Sequence, residues 1–159
     1  MRSAESNVSG RITAGALLSM LLAGMITVMP AFATQSDSPV VLGKTKSMAE
    51  TQHEIVILLI RKKEYEKAVT EANKIFDMKW PENQEPLLLK ELLLLSDQFL
   101  RQGQAPLGLH LINRNSKCFK RNPSQVAIFK EKGYLYKALN QNDKALDCFQ
   151  KARNLQSGD

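Results

Sequence analysis

A chain of 159 residues suits one domain plus a targeting segment. Hydrophobic residues make up 43% of it and aromatics only 6%, enough for a helical core and too few aromatic runs for a strand-built fold. The net charge of +6 fits solubility as well as it fits nucleic acid, anionic membrane or acidic protein partners, so charge alone selects no function.

The chain opens with Arg2, Glu5 and Arg11, and no charged residue follows from Ile12 to Ser36. Residues 12–28 are apolar, Pro30 comes next, and Ala31-Phe32-Ala33 precede Thr34. A positive start, an apolar middle and an A-x-A ending are the parts of a secretory signal peptide over residues 1–33, cleaved between Ala33 and Thr34. The alternative is an uncleaved anchor in the inner membrane formed by residues 12–33, although the apolar stretch is short of the roughly 20 residues a spanning helix needs. Cleavage would leave residues 34–159 with a net charge of +5, since the removed piece carries two Arg and one Glu. Residues 34–47 hold Ser, Asp, Pro and Gly and read as a flexible leader.

From about Met48 onward, three helical pairs alternate with short breaks. In the first, Ile55, Val56 and Leu59 form the apolar stripe of one helix, and Tyr65, Ala68, Ala72 and Ile75 those of the turn and second helix. Lys62, Lys63, Lys67 and Lys74, interspersed with Glu64, Glu66 and Glu71, read as a salt-bridged solvent face. Residues 78–86 then form a loop with the single tryptophan, Trp80, which either offers an interface anchor or folds back over the end of the first pair. The second pair carries Leu92, Leu95, Ser96 and Phe99, then Gly103, Ala105, Gly108 and Ile112. After an extension at residues 117–122, Ser124 is the expected N-cap of a helix over residues 125–139. A break at residues 140–142 separates it from a last helix over 143–155. Phe129, Gly133 and Tyr136 on one helix face Ala145, Phe149 and Ala152 on the other, each set at spacings of four and three. Small residues at Gly133 and Ala145 let two helices approach, and aromatics fill the space around that contact.

The last pair resembles the tetratricopeptide repeat, whose pattern is a small residue and an aromatic on helix A, then Ala, aromatic and Ala on helix B. Lys132 departs from it, since an apolar residue is usual there. The two upstream pairs fit the same template more loosely, with Val56 larger than the pattern favours. Equivalent starts fall near Ala49, Leu89 and Val126, giving repeats near 49–82, 89–122 and 126–159 within a helical domain over 48–159. The periods are 40 and 37, against about 34 for the family. The resemblance implies an all-α fold, a short α-solenoid of about three helix-turn-helix repeats.

It also implies that the A helices line a groove that holds partner proteins. The groove-facing residues would be His53, Ile57 and Arg61; Lys90, Leu93, Asp97 and Arg101; and Lys130, Tyr134 and Lys137. Five of the ten are Lys or Arg, so the expected ligand is a segment carrying carboxylates, with Arg61 and Arg101 making charge-assisted contacts. The bland alternative is an ordinary solvated helix face. His53 and Ile57 stand where the family's carboxylate-clamp subgroup has Asn and Lys, so no particular C-terminal motif is expected. Leu146, Phe149 and Leu155 on the last helix would be partly uncovered, which allows a homodimer or permanent packing into a membrane-associated envelope complex.

Motifs of chemistry are missing. His53 and His110 stand alone, with no His or Cys at ligand spacing, and HExxH, GxSxG, Walker-type and GxGxxG patterns do not occur. Cys118 and Cys148 are 30 residues apart (148 − 118) without CxxC spacing and read as two buried thiols, or as one disulfide in an oxidising compartment. Lys117, Lys120 and Arg121 around Phe119 form a small basic cluster that suits a helix end better than nucleic acid. The expected protein is therefore non-catalytic, with no cofactor, no metal and no nucleic acid. It would be exported to the periplasm or secreted, would bind one or more envelope proteins, and would touch the membrane only through an uncleaved signal segment.

Overall fold

Prolines and tight turns set the helix boundaries in the computed structural model, which describes residues 39–158. Six helices follow in order: α1 (Pro39–Arg61), α2 (Tyr65–Asp77), α3 (Glu85–Arg101), α4 (Ala105–Asn115), α5 (Asn122–Ala138) and α6 (Asn142–Ser157). The fold is all-α. Pro86, Pro106 and Pro123 sit in the first turns of α3, α4 and α5, where a missing N–H costs nothing. Gly158 closes α6 in the left-handed conformation. Single 3-10 turns at Glu82–Gln84 and Ser116–Cys118 precede α3 and follow α4.

The turn within each helix pair has one geometry. Lys63, Gly103 and Asn140 adopt positive φ of 61°, 71° and 58°. One residue later, Glu64 N–H donates to Leu59 O, Gln104 to Phe99 O and Gln141 to Tyr136 O. The carbonyls of Glu64, Gln104 and Gln141 then accept from Ala68, Gly108 and Ala145, starting the next helix. These turns stand 40 and 37 residues apart (103 − 63, 140 − 103), the spacing of the sequence pattern.

Within each pair the two helices pack closely, α5 on α6 most of all; α4 also meets α2 and α5, and α3 meets α5. Val56, Leu92, Leu95, Phe99, Leu111, Ile112 and Leu135 are fully buried in one cluster spanning α1 to α5. Gly133 lies under the Phe149 ring, where an added Cβ would come within 2.6 Å of a ring carbon. The small residue therefore permits this helix contact. Between α2 and α4, the buried Asn115 Nδ2 donates to Asn73 Oδ1 at 2.8 Å and to Leu111 O at 2.9 Å, which satisfies a polar pair and fixes the register of the two helices.

Several local expectations change. Residues 39–47, read as leader, form the first turns of α1, because nothing in VVLGKTKSM stops a helix that Pro39 can start. Ser124 is no N-cap: α5 begins at Asn122, and Ser124 is buried inside its first turn. There it hydrogen-bonds Glu85 at the head of α3. The Glu85 carboxylate also accepts the backbone N–H of Lys120 (3.3 Å) and Arg121 (3.0 Å). Partial burial opposes its ionisation, but these hydrogen bonds and the Arg121 charge outweigh that and hold its pKa below the ordinary value. The proposed signal peptide, its Ala33–Thr34 cleavage site and residues 34–38 lie outside the described residues. Among those described, no helix is long and apolar enough to cross a membrane.

Candidate functional site

The helix that begins each pair supplies the surface predicted to bind partners. On α1, His53 is half-buried and its Nδ1 lies 2.6 Å from Glu91 Oε1 on α3. This link between α1 and α3 uses a carboxylate that the sequence reading left out. Ile57 packs against the core instead of standing free. Arg61 is exposed at the end of α1 and has no ion-pair partner among the described residues. On α3, Lys90 is exposed and Leu93 half-buried, while Asp97 Oδ2 takes the Arg101 Nε at 2.6 Å, one helical turn away. On α5, Lys130 and Lys137 are exposed, and Tyr134 makes an edge-to-face contact with Phe149 at 5.3 Å between ring centres.

A cleft of about 490 Å³ opens between α1 and α3 and gathers part of this set. His53 and Lys90 line it, and Trp80, from the loop before α3, lines it with Ile75. Trp80 is half-buried, packs against the core and donates its indole N–H to Ile75 O at 2.8 Å. Trp80 therefore folds back over the first pair and in doing so presents a face to the cleft. Leu87, Leu88 and Leu94 from α3 and Ala49 from α1 complete the apolar lining. Lys46, Glu50, Glu54 and Glu91 stand around it with Lys90. The distal predicted residues, Arg101, Lys130, Tyr134 and Lys137, lie outside this cleft.

The charge around the A helices is mixed, not basic. Glu50, Glu54 and Glu91 share the cleft with the cations, and Glu131 on α5 accepts a 2.8 Å hydrogen bond from Ser96 Oγ on α3. Burial pushes the Glu131 pKa up; the Ser96 bond opposes this and the Asp97 charge adds to it. A carboxyl whose pKa is raised by folding stabilises the fold below its unfolded value of about 4.3, and that contribution is lost as pH rises through the folded value. The Glu131→Gln chain is therefore expected to match wild type in acid and to melt at higher temperature at neutral pH. Thermal unfolding followed by circular dichroism from pH 4 to 8 measures it; parallel curves across that range would refute the assignment.

Apolar exposure concentrates on the same elements. Of the nine large apolar side chains exposed among the described residues, seven (Val40, Val41, Met48, Ile55, Leu58, Leu87 and Leu94) belong to α1 and α3. On α6 only Leu146 is so exposed, with Phe149 and Leu155 half-buried. All three are thus partly uncovered, as the sequence suggests. Helical spacing on α3 would have grouped Leu87, Glu91 and Leu94, which follow one another at intervals of four and three, with Lys90 beside them.

Other expectations settle locally. Phe119 is buried, so the nearby basic residues lack an aromatic free to stack on bases. Cys118 is exposed and Cys148 buried, both as free thiols, so only the second matches the reading of two buried thiols. Burial raises the Cys148 pKa. Lys67 and Lys62 pair with Glu64 at 2.6 and 3.4 Å, and Lys74 with Glu71 at 2.7 Å, the solvent face expected of α2. Among the described residues no group of three His, Cys, Asp or Glu is placed to hold a metal ion. No known protein family, curated protein or solved structure matches this chain.

Proposed function

We propose that this chain is a non-catalytic protein-interaction module of tetratricopeptide type, which docks a segment of a partner protein against α1 and α3. The observation that carries this reading is the cleft itself: a concave, largely apolar lining of Trp80, Ile75, Leu87 and Leu94 ringed by charges of both signs. An apolar anchor with a polar rim is the usual form of a protein-binding hot spot. Three turns of one geometry at the sequence period support the tetratricopeptide assignment. The mixed charge shifts the expected ligand from a purely acidic segment to one with an apolar anchor and flanking charges. The N-terminal Arg2-to-Ala33 pattern supports export, which makes the partner an envelope protein. The rival reading, permanent packing through the C-terminal helix, has less behind it, because α6 carries one of the nine exposed large apolar side chains among the described residues and α1 and α3 carry seven.

The test is site-specific photo-crosslinking of the full chain in intact cells, with the photoreactive residue at position 87 or 94 in the cleft and at 150 on α6. The expected result is one partner adduct from the cleft positions, lost when Lys90→Glu and Leu94→Glu are combined with the probe at 87. Adducts from position 150 alone would move the binding surface to α6 and overturn the proposal.

A further inference from the structure

Trp80 and Leu88 line two cavities at once. One is the α1–α3 cleft. The other, of about 340 Å³, is bordered by the loop after α2 and the turn after α4. That size falls within the roughly 300–1,000 Å³ of pockets that accept a ligand. The buried Phe76 and Leu88 form its floor, and Met78 and Pro81 extend the apolar wall. A single side-chain layer, the indole, therefore separates two apolar openings. Neighbouring residues of one bound segment can enter both.

Charge distinguishes the two openings. In the cleft, His53 pairs with Glu91, and Lys46 and Lys90 balance Glu50 and Glu54. At the second cavity, Lys120 and Arg121 are exposed, and neither side chain has an ion-pair partner among the described residues. Glu85 borders this cavity too. Its carboxylate oxygens accept the backbone N–H of Lys120 and Arg121, and it hydrogen-bonds Ser124, so its charge is already answered. Two cations then face the Glu82 carboxylate alone. An apolar floor beside this excess of positive charge fits an apolar side chain with a carboxylate next to it.

We infer that the partner segment docked in the cleft continues past Trp80 into the second cavity, with an apolar side chain on either side of the indole and an Asp or Glu against Lys120 and Arg121. This continuation requires the cleft itself to be the docking site. Photo-crosslinking of the full chain in intact cells tests it, with p-benzoylphenylalanine placed at position 94 in the cleft or at position 118 in the second cavity. Both positions should trap the same protein at sites a few residues apart, with an acidic residue next to the site reached from 118. Lys120→Glu should lower the yield from both positions by about tenfold. Lys137→Glu, on α5 and outside both cavities, should change neither. Both lysines are exposed, and unchanged far-UV circular dichroism verifies that the variants fold. An adduct from 94 with none from 118 leaves the cleft as the docking site and overturns the continuation. Different proteins trapped from the two positions, or yields indifferent to Lys120→Glu, overturn it as well. Silence from both positions overturns the continuation and the cleft together.

Discussion

Replacing Leu135 with alanine is expected to cost about 2–5 kcal/mol of folding stability, the largest loss of any single truncation proposed for this chain. Leu135 is fully buried on α5 and reaches into the notch that Gly108 leaves in α4. A Cβ on Gly108 would lie 3.0 Å from Leu135 Cδ2 and 3.3 Å from Ser96 Oγ. One leucine thus plugs the junction of α3, α4 and α5, and its loss opens a cavity that three helices cannot easily close. The informative measurement is a cycle with Gly108→Ala. Alone, that change trades a helix-propensity gain of up to about 1 kcal/mol against crowding by Leu135, and the two nearly cancel. With Leu135 truncated the methyl enters vacated space and recovers about 1 kcal/mol. Urea unfolding of the four chains reads this coupling. Additive losses would show that Leu135 and Gly108 do not share one packing site.

That junction illustrates what sequence reasoning reaches. Gly108, Gly133, Ala145 and Phe149 were legible because close helix packing demands small residues at fixed spacings, and a pattern of three and four declares which face they occupy. The turns were legible for a similar reason: Gly103 and Asn140 are residues that accept positive φ. Lys63 in the same conformation carries no such signal, and its equivalence shows only in the backbone hydrogen bonds.

The site was harder to read because it depends on contacts distant in sequence. His53 was picked as a groove residue, but its partner Glu91 is 38 residues away and belongs to another helix. Counting charges over ten chosen positions gave a basic groove, while the carboxylates between those positions balance it. Burial misled in the same way: Ser124 resembles a cap locally and is instead claimed by Glu85, 39 residues earlier (124 − 85). The loop after α2 lengthens the first repeat and also carries the residue that shapes the cleft.

That residue supplies the second large effect. Trp80→Ala is expected to lose about 2–3 kcal/mol, less than a fully buried tryptophan because the ring is half-exposed, yet well above a surface change. The indole stands between the α1–α3 cleft and a second cavity of about 340 Å³ bordered by Phe76, Leu88 and Cys118, and it lines both. Truncation would merge the two spaces and leave Ile75 O without its donor. Trp80→Phe keeps most of the wall and removes only the indole hydrogen bond, at a cost of about 1 kcal/mol. The pair of variants therefore separates shape from hydrogen bonding. If the wall is what the partner reads, photo-crosslinking from position 94 survives in the phenylalanine chain and fails in the alanine chain. If the indole N–H were the recognised group, both chains would fail alike, although in the free protein that donor is already committed to Ile75 O. Because Trp80 is the only tryptophan, its emission in the unvaried chain reports the same event directly. A captured partner segment seated on the ring should shift that emission to shorter wavelength by excluding water. An alanine chain as stable as wild type would mean that the loop does not brace the cleft, and the wall would have to be sought in α1 and α3 alone.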